Sequence, residues 1–143
     1  MYNYSASPIV TGCTFISNSV YYSSAYGYGG AIENEVGSSP ALIDCVFEGN
    51  SSSFYGGAVE NANSSPTMTN CVFVDNSAVS GGAVLNNVSS DAAIVNCTFF
   101  GNTASAYGGA IHNRSGSTST VTKRPSTFSK ARVTASSGGF TGL

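Results

Sequence analysis

Cys45-Val46-Phe47-Glu48-Gly49-Asn50 runs through Ser51 to Tyr55 into Gly56-Gly57-Ala58-Val59-Glu60-Asn61, and the chain carries this pair of motifs four times. The first half recurs as Cys13-Thr14-Phe15-Ile16-Ser17-Asn18, Cys71-Val72-Phe73-Val74-Asp75-Asn76 and Cys97-Thr98-Phe99-Phe100-Gly101-Asn102. The second half recurs at Gly29 to Asn34, Gly81 to Asn86 and Gly108 to Asn113. Self-similarity at a period of roughly 20 to 50 residues marks a solenoid. The steps between cysteines are 32, 26 and 26 residues, and the extra length of the first lies in the linker Ser19 to Tyr28. The frame is constant and one loop varies, as when insertions map to one face.

Between punctuating Gly, Asn, Ser and Pro residues the segments are short and rich in Val, Ile, Thr and Phe. That pattern suits strands and excludes helices of ordinary length. We read three short strands per repeat, wound into an all-β, right-handed parallel β-helix. Four regular coils, roughly 7–38, 39–64, 65–90 and 91–113, are followed by a degenerate terminal coil, cap or tail over 114–143. In that tail Thr127-Phe128-Ser129 and Ser137 to Phe140 echo a fifth repeat, with Ser126 in the Cys place. Four of the five basic residues, Lys123, Arg124, Lys130 and Arg132, also lie there.

Stacked coils set equivalent residues ~4.8 Å apart, so like sits on like. Cys13, Cys45, Cys71 and Cys97 share a face with Phe15, Phe47, Phe73 and Phe99, because residues two apart on a strand point the same way. Val10, Leu42, Met68 and Ile94 make one further apolar column, and Ile32, Val59, Val84 and Ile111 another. Gly12, Asp44, Asn70 and Asn96 just before each Cys are turn formers and predict a bend. Two asparagine columns, Asn18/Asn50/Asn76/Asn102 and Asn34/Asn61/Asn86/Asn113, are expected to bond side chain to side chain up the stack.

Composition narrows the function. Of 143 residues only 8% are charged, against an ordinary ~25%, and the net charge is −2. Nothing here favours nucleic acid or an acidic membrane surface. No stretch reaches the ~20 apolar residues of a membrane span. Met1-Tyr2-Asn3-Tyr4-Ser5 has neither the basic start nor the apolar core of a secretion signal, so the chain reads as a mature form or a fragment.

The chemistry-bearing side chains are few. The cysteine spacings match no zinc motif and lack His partners. Stacked neighbours lie within reach of disulfides, but inward strand cysteines usually act as small buried hydrophobes, which favours free thiols. No metal or cofactor is expected. The residue before each asparagine of the second motif is Glu33, Glu60, Leu85 or His112. Glu33 and Glu60 on adjacent coils could form an acid pair for glycoside hydrolysis, while the reading we favour is a solvated outer face. His112 is the only histidine, and nothing around it suggests a Ser-His-Asp triad. Tyr21, Tyr22, Tyr26 and Tyr28 crowd the long first loop, and Tyr28, Tyr55 and Tyr107 each precede a Gly-Gly pair. Exposed tyrosines stack on sugar rings or bind protein. Asn-x-Ser/Thr sequons stand at Asn3, Asn50, Asn63, Asn87, Asn96 and Asn113, of which Asn50 and Asn113 are expected to be inaccessible.

The coupled Phe-x-x-Asn and Gly-Gly-Ala-Ile/Val motifs over residues 7 to 113 resemble the repeats of chlamydial polymorphic outer membrane proteins, and similar repeats of surface proteins with a pectate-lyase-like β-helix. The resemblance implies a surface-exposed passenger that serves adhesion, without the membrane barrel of those proteins. We therefore expect a non-enzymatic structural module, extracellular or at the cell surface, acting in adhesion or self-assembly. Its expected partners are further copies of itself, a glycan or a host or cell-surface protein. The alternative is a carbohydrate-binding or carbohydrate-active domain.

Overall fold

The computed structural model describes residues 1–21 and 27–123. Within them the chain is all-β, and every strand pairing is parallel, between strands about one coil apart in sequence. Sheet A stacks Tyr2–Tyr4, Ile32–Glu35, Val59–Ala62, Val84–Asn87 and Ile111–Asn113. Sheet B stacks Ile9–Thr11, Ala41–Ile43, Thr67–Thr69, Asp91–Val95 and Thr118–Thr122. Sheet C stacks Thr14–Ile16, Val46–Glu48, Val72–Val74 and Thr98–Phe100. These are the three strands per coil read from the sequence, and together they make a β-helix of about four turns.

A fourth sheet corrects that count. Sheet D stacks Ser19–Val20, Ser51–Ser52, Ser77–Ser80 and Thr103–Tyr107. Its strands mix serine and threonine with Val20, Val79 and alanines and give no regular apolar alternation, but the ladder needs only backbone. Ser51 N–H, for example, donates to the Asn18 carbonyl at 2.9 Å, and Ser77 N–H to that of Asn50 at 2.9 Å.

The corners between strands turn on left-handed backbone. Gly12, Asp44, Asn70 and Asn96 have φ of 62°, 53°, 54° and 54°. Asn and Asp tolerate this region better than other side chains do. The bend lets the sheet B column Leu42, Met68 and Ile94 and the cysteines Cys45 and Cys71 all point into the core, where each is fully or almost fully buried. The Gly-Gly pair answers a second need. Gly56 has φ 59°, and a Cβ on Gly57 would stand 2.0 Å from the Gly82 carbonyl oxygen of the next coil. Only a residue without a side chain lets the coils close there.

The phenylalanines form a continuous stack. Ring centroids are 4.8, 4.7 and 4.7 Å apart for Phe15–Phe47, Phe47–Phe73 and Phe73–Phe99, with interplanar angles of 2°, 4° and 2°. Beside them Asn18, Asn50 and Asn76 each donate Nδ2 to the next asparagine's Oδ1 at 2.9 Å. The second ladder runs through Asn34, Asn61, Asn86 and Asn113 at 2.8, 2.8 and 2.7 Å. Asn3, which the sequence marked only as a sequon, adds a rung by donating to Asn34 at 2.8 Å. All four cysteines are free thiols; Cys13 is exposed at the end of its column.

The chain enters its last turn sooner than the echo at Ser126 suggests. Thr118–Thr122 pairs with Asp91–Val95 and sets Val121 opposite Ile94, extending the apolar column. The echo itself, with Thr127-Phe128-Ser129 and Ser137 to Phe140, lies outside the described residues.

Phe73 is fully buried with a ring on either side. Phe73→Ala is expected to lower stability by about 3–5 kcal/mol in urea unfolding, the cost of a large core cavity. A loss below about 1 kcal/mol would take the phenylalanine column out of the core.

Candidate functional site

Along sheet A the side chains alternate. Ile32, Val59 and Val84 point inward, so their neighbours Glu33, Glu60 and Leu85 point outward. The register sets Tyr2, Glu33, Glu60, Leu85 and His112 in one outward column. A second column beside it carries Tyr4, Glu35, Ala62 and Asn87. Arg114 follows the last strand, its N–H donating to the Asn86 carbonyl at 3.0 Å.

This face is not the solvated surface expected of it. Glu60 is 1% exposed and Leu85 is fully buried, while Glu33 and His112 are half-buried. Part of the cover comes from outside the repeat pattern. The Arg114 guanidinium reaches back two coils, donates to the Tyr55 hydroxyl and lies 4.9 Å from the centroid of the Tyr55 ring. Tyr55 in turn packs edge-on against Phe54 at 4.5 Å and tilts against Tyr28 at 5.5 Å.

Burial sets the electrostatics. Glu60 Oε2 has no hydrogen-bond partner. Desolvation, reinforced by the carboxylates of Glu33 and Glu35 and only partly opposed by Arg114, pushes the Glu60 carboxyl up to about 8. Desolvation and Glu35 also raise Glu33. A neutral carboxylic acid is therefore held beneath the face at neutral pH. His112 is pushed down, first by burial and then by Arg114. Its Nδ1 lies 2.5 Å from Ser80 Oγ, and its ring stacks on Tyr107 with centroids 5.5 Å apart. At the other end of the face Tyr2 donates its hydroxyl to Glu35 Oε2 at 2.8 Å.

Phe54, Tyr55, Val79, Ser80, Tyr107, His112 and Arg114 line a cleft of about 400 Å³. Pockets that take small ligands run from about 300 to 1,000 Å³ and combine apolar walls with a few convergent polar groups. Of the loop tyrosines proposed from the sequence, Tyr28 joins the Tyr55 cluster, whereas Tyr21 stands 78% exposed. Tyr22 and Tyr26 lie outside the described residues. The cleft also uses Ser80 and Arg114, which sequence reasoning passed over. Ser80 could have been found as the one non-aromatic member of the column before Gly-Gly. Among the described residues no three His, Cys, Asp or Glu side chains gather as a metal site, and no helix is long and apolar enough to cross a membrane.

The family model for the right-handed beta helix region matches residues 1–127. The chain belongs to that family. Neither a curated protein nor a solved structure matches it at a significant level.

In this β-helix the acid pair makes a pH signature. The unfolded chain releases the Glu60 proton near 4.5, whereas the folded chain holds it to about 8. Between those values the folded state binds the extra proton, so stability falls as pH rises, by at most about 1.4 kcal/mol per unit. Glu60→Gln is expected to flatten that decline in urea midpoints measured from pH 5 to 8. An unchanged slope in the variant would show that Glu60 is not the group responsible.

Proposed function

We propose that this β-helix is a structural module, extracellular or at the cell surface, that adheres by binding glycan in the cleft where the end of sheet D meets the outward column of sheet A. The observation that carries the reading is the cleft between Tyr55 and Tyr107. Two aromatic side chains flank a polar floor of Ser80 and His112, with Arg114 at one side. Aromatic faces take the CH faces of sugar rings, and hydroxyl, imidazole and guanidinium groups take their hydroxyls. The resemblance of the coupled motifs to surface passenger repeats supports the placement outside the cell.

The family includes both enzymes and non-enzymes, so the choice rests on the site. Catalysis by the Glu33/Glu60 pair needs a carboxyl that touches substrate, and Glu60 is buried beneath the face. The next residue of its column is Leu85, which can neither give nor take a proton. Binding without turnover is the reading this arrangement supports.

Tyr107 is 62% exposed, so its truncation tests binding with little demand on the fold. On an array of defined oligosaccharides the chain is expected to bind a discrete set, and Tyr107→Ala to weaken that binding about tenfold, on the scale of a lost aromatic contact. Absence of binding to every glycan would overturn the reading.

A second reading, self-association, has its own observation. Ile9–Thr11, Thr14–Ile16 and Ser19–Val20 each end a sheet, with the next strand on one side only. Ile9 and Ile16 are exposed on this coil. Open strand edges template further pairing, so a second copy could continue the stack. Sedimentation and electron microscopy across a concentration series are expected to show end-to-end oligomers. A single monomeric species at the highest concentration would remove this reading.

A further inference from the structure

Tyr28, Tyr55, Ser80 and Tyr107 form one register column, each just before a Gly-Gly pair. Three coils place a tyrosine there and the third places a serine. One coil step is ~4.8 Å, so Tyr55 and Tyr107 stand about 9.6 Å apart along the stack, with no ring of the column between them. Stacked or tilted rings pack with centroids roughly 4.5–7 Å apart, and Tyr28 and Tyr55, one step apart, are at 5.5 Å. The missing side chain therefore leaves a gap one ring thick. Val79 widens it, since the residue before Tyr55 in the coil above is Phe54.

The gap is chemically dressed. At its floor Ser80 and His112 share their 2.5 Å contact, leaving the imidazole Nε2 for a ligand. Over the Tyr55 ring, 4.9 Å from its centroid, lies the Arg114 guanidinium. A guanidinium has five N–H donors, and this one makes a single side-chain hydrogen bond, to Tyr55. It forms no ion pair with any carboxylate among the described residues. A guanidinium with no carboxylate partner among the described residues, lining a cleft, fits a carboxylate or sulfate through its remaining donors.

We infer that the gap at Ser80 is a subsite for one sugar ring carrying an anionic substituent, a carboxylate or a sulfate. The ring packs on Tyr107 in the place of the missing tyrosine, with the Arg114 guanidinium between it and Tyr55. Its anion meets Arg114, and its hydroxyls meet Ser80 and His112. The inference rests on the glycan reading and adds the charge and the location of the unit recognised.

The test titrates the whole chain with maltohexaose, sulfated maltohexaose and a hyaluronan hexasaccharide, which supply no anion, a sulfate and a carboxylate. At least one anionic sugar is expected to bind about tenfold or more tighter than maltohexaose, the scale of a charge-assisted hydrogen bond. Which of the two does so identifies the anion. Arg114→Gln is expected to erase the preference, so that the anionic sugars bind the variant no tighter than maltohexaose does. Ser80→Tyr restores the tyrosine column, and in a variant that melts as the parent does it is expected to abolish binding. If Ser80→Tyr does not fold, Arg114→Gln alone decides. Equal affinity for all three sugars, or a preference that survives Arg114→Gln, overturns this inference and leaves the glycan reading standing. No binding to these sugars or to any other glycan overturns both.

Discussion

Parallel in-register pairing is the constraint on which everything else in this molecule depends. Each residue is stacked on its own counterpart ~4.8 Å away, so a residue can recur only if it tolerates a copy of itself at that distance. Phenylalanine does, and its rings stack nearly face to face. Glycine does, where coils close on each other's carbonyls. Charge does not, because like charges directly opposite repel. The low charged content of the chain follows from this rule. Glu48 and Asp91 face uncharged partners, and among the described residues Glu33 and Glu60 are the one like-charged pair placed in register. The pair persists because burial keeps Glu60 protonated.

Asparagine solves the same problem for buried polar groups, and it does so with a direction. In the Phe-side ladder the Nδ2 of Asn76 donates forward to Asn102 Oδ1 and back to the Phe47 carbonyl, while its Oδ1 accepts from the N–H and Nδ2 of Asn50. Asn50 and Asn102 repeat the backward bond to Phe15 and Phe73. Aspartate lacks the donor and would stack charge on charge, and serine offers one hydroxyl where asparagine offers a separate carbonyl and amide. A quieter serine ladder runs at another corner. Ser90 Oγ accepts from the Ser64 N–H and donates to backbone carbonyls, and the Ser90 N–H donates to Ser117 Oγ. These bonds satisfy corners that would otherwise carry orphaned backbone groups into a dry interior.

The inward half of this structure was legible because it repeats. Cys, Phe, the two asparagines and the apolar columns each carry the period, and a period of four copies reads above the noise of a Ser-rich chain. Sheet D was not legible, since Ser51–Ser52 and Ser77–Ser80 pair through backbone and show no apolar alternation. The Ser38/Ser64/Ser90 corner was hidden for a related reason: serine is so common here that a column of it does not stand out. The outward face failed differently. Alternation assigns Glu60 and Leu85 to solvent, and what covers them includes Arg114 and Tyr55, which act across coils through side chains of no fixed period. Long-range cover of that kind leaves no trace in local spacing.

The positions that break the repeat then carry the specificity. A solenoid of identical coils presents a uniform surface, which can bind only by repetition. Here the third coil drops the tyrosine at Ser80 and the phenylalanine at Val79, and the fourth adds His112 and Arg114, unlike anything in the same columns of the earlier coils. These departures are scattered in sequence from residue 79 to residue 114, yet the winding brings them to one cleft. The inward columns of phenylalanine, asparagine and aliphatic side chains stay regular beneath them, so the scaffold is held constant while the outward surface is free to differ.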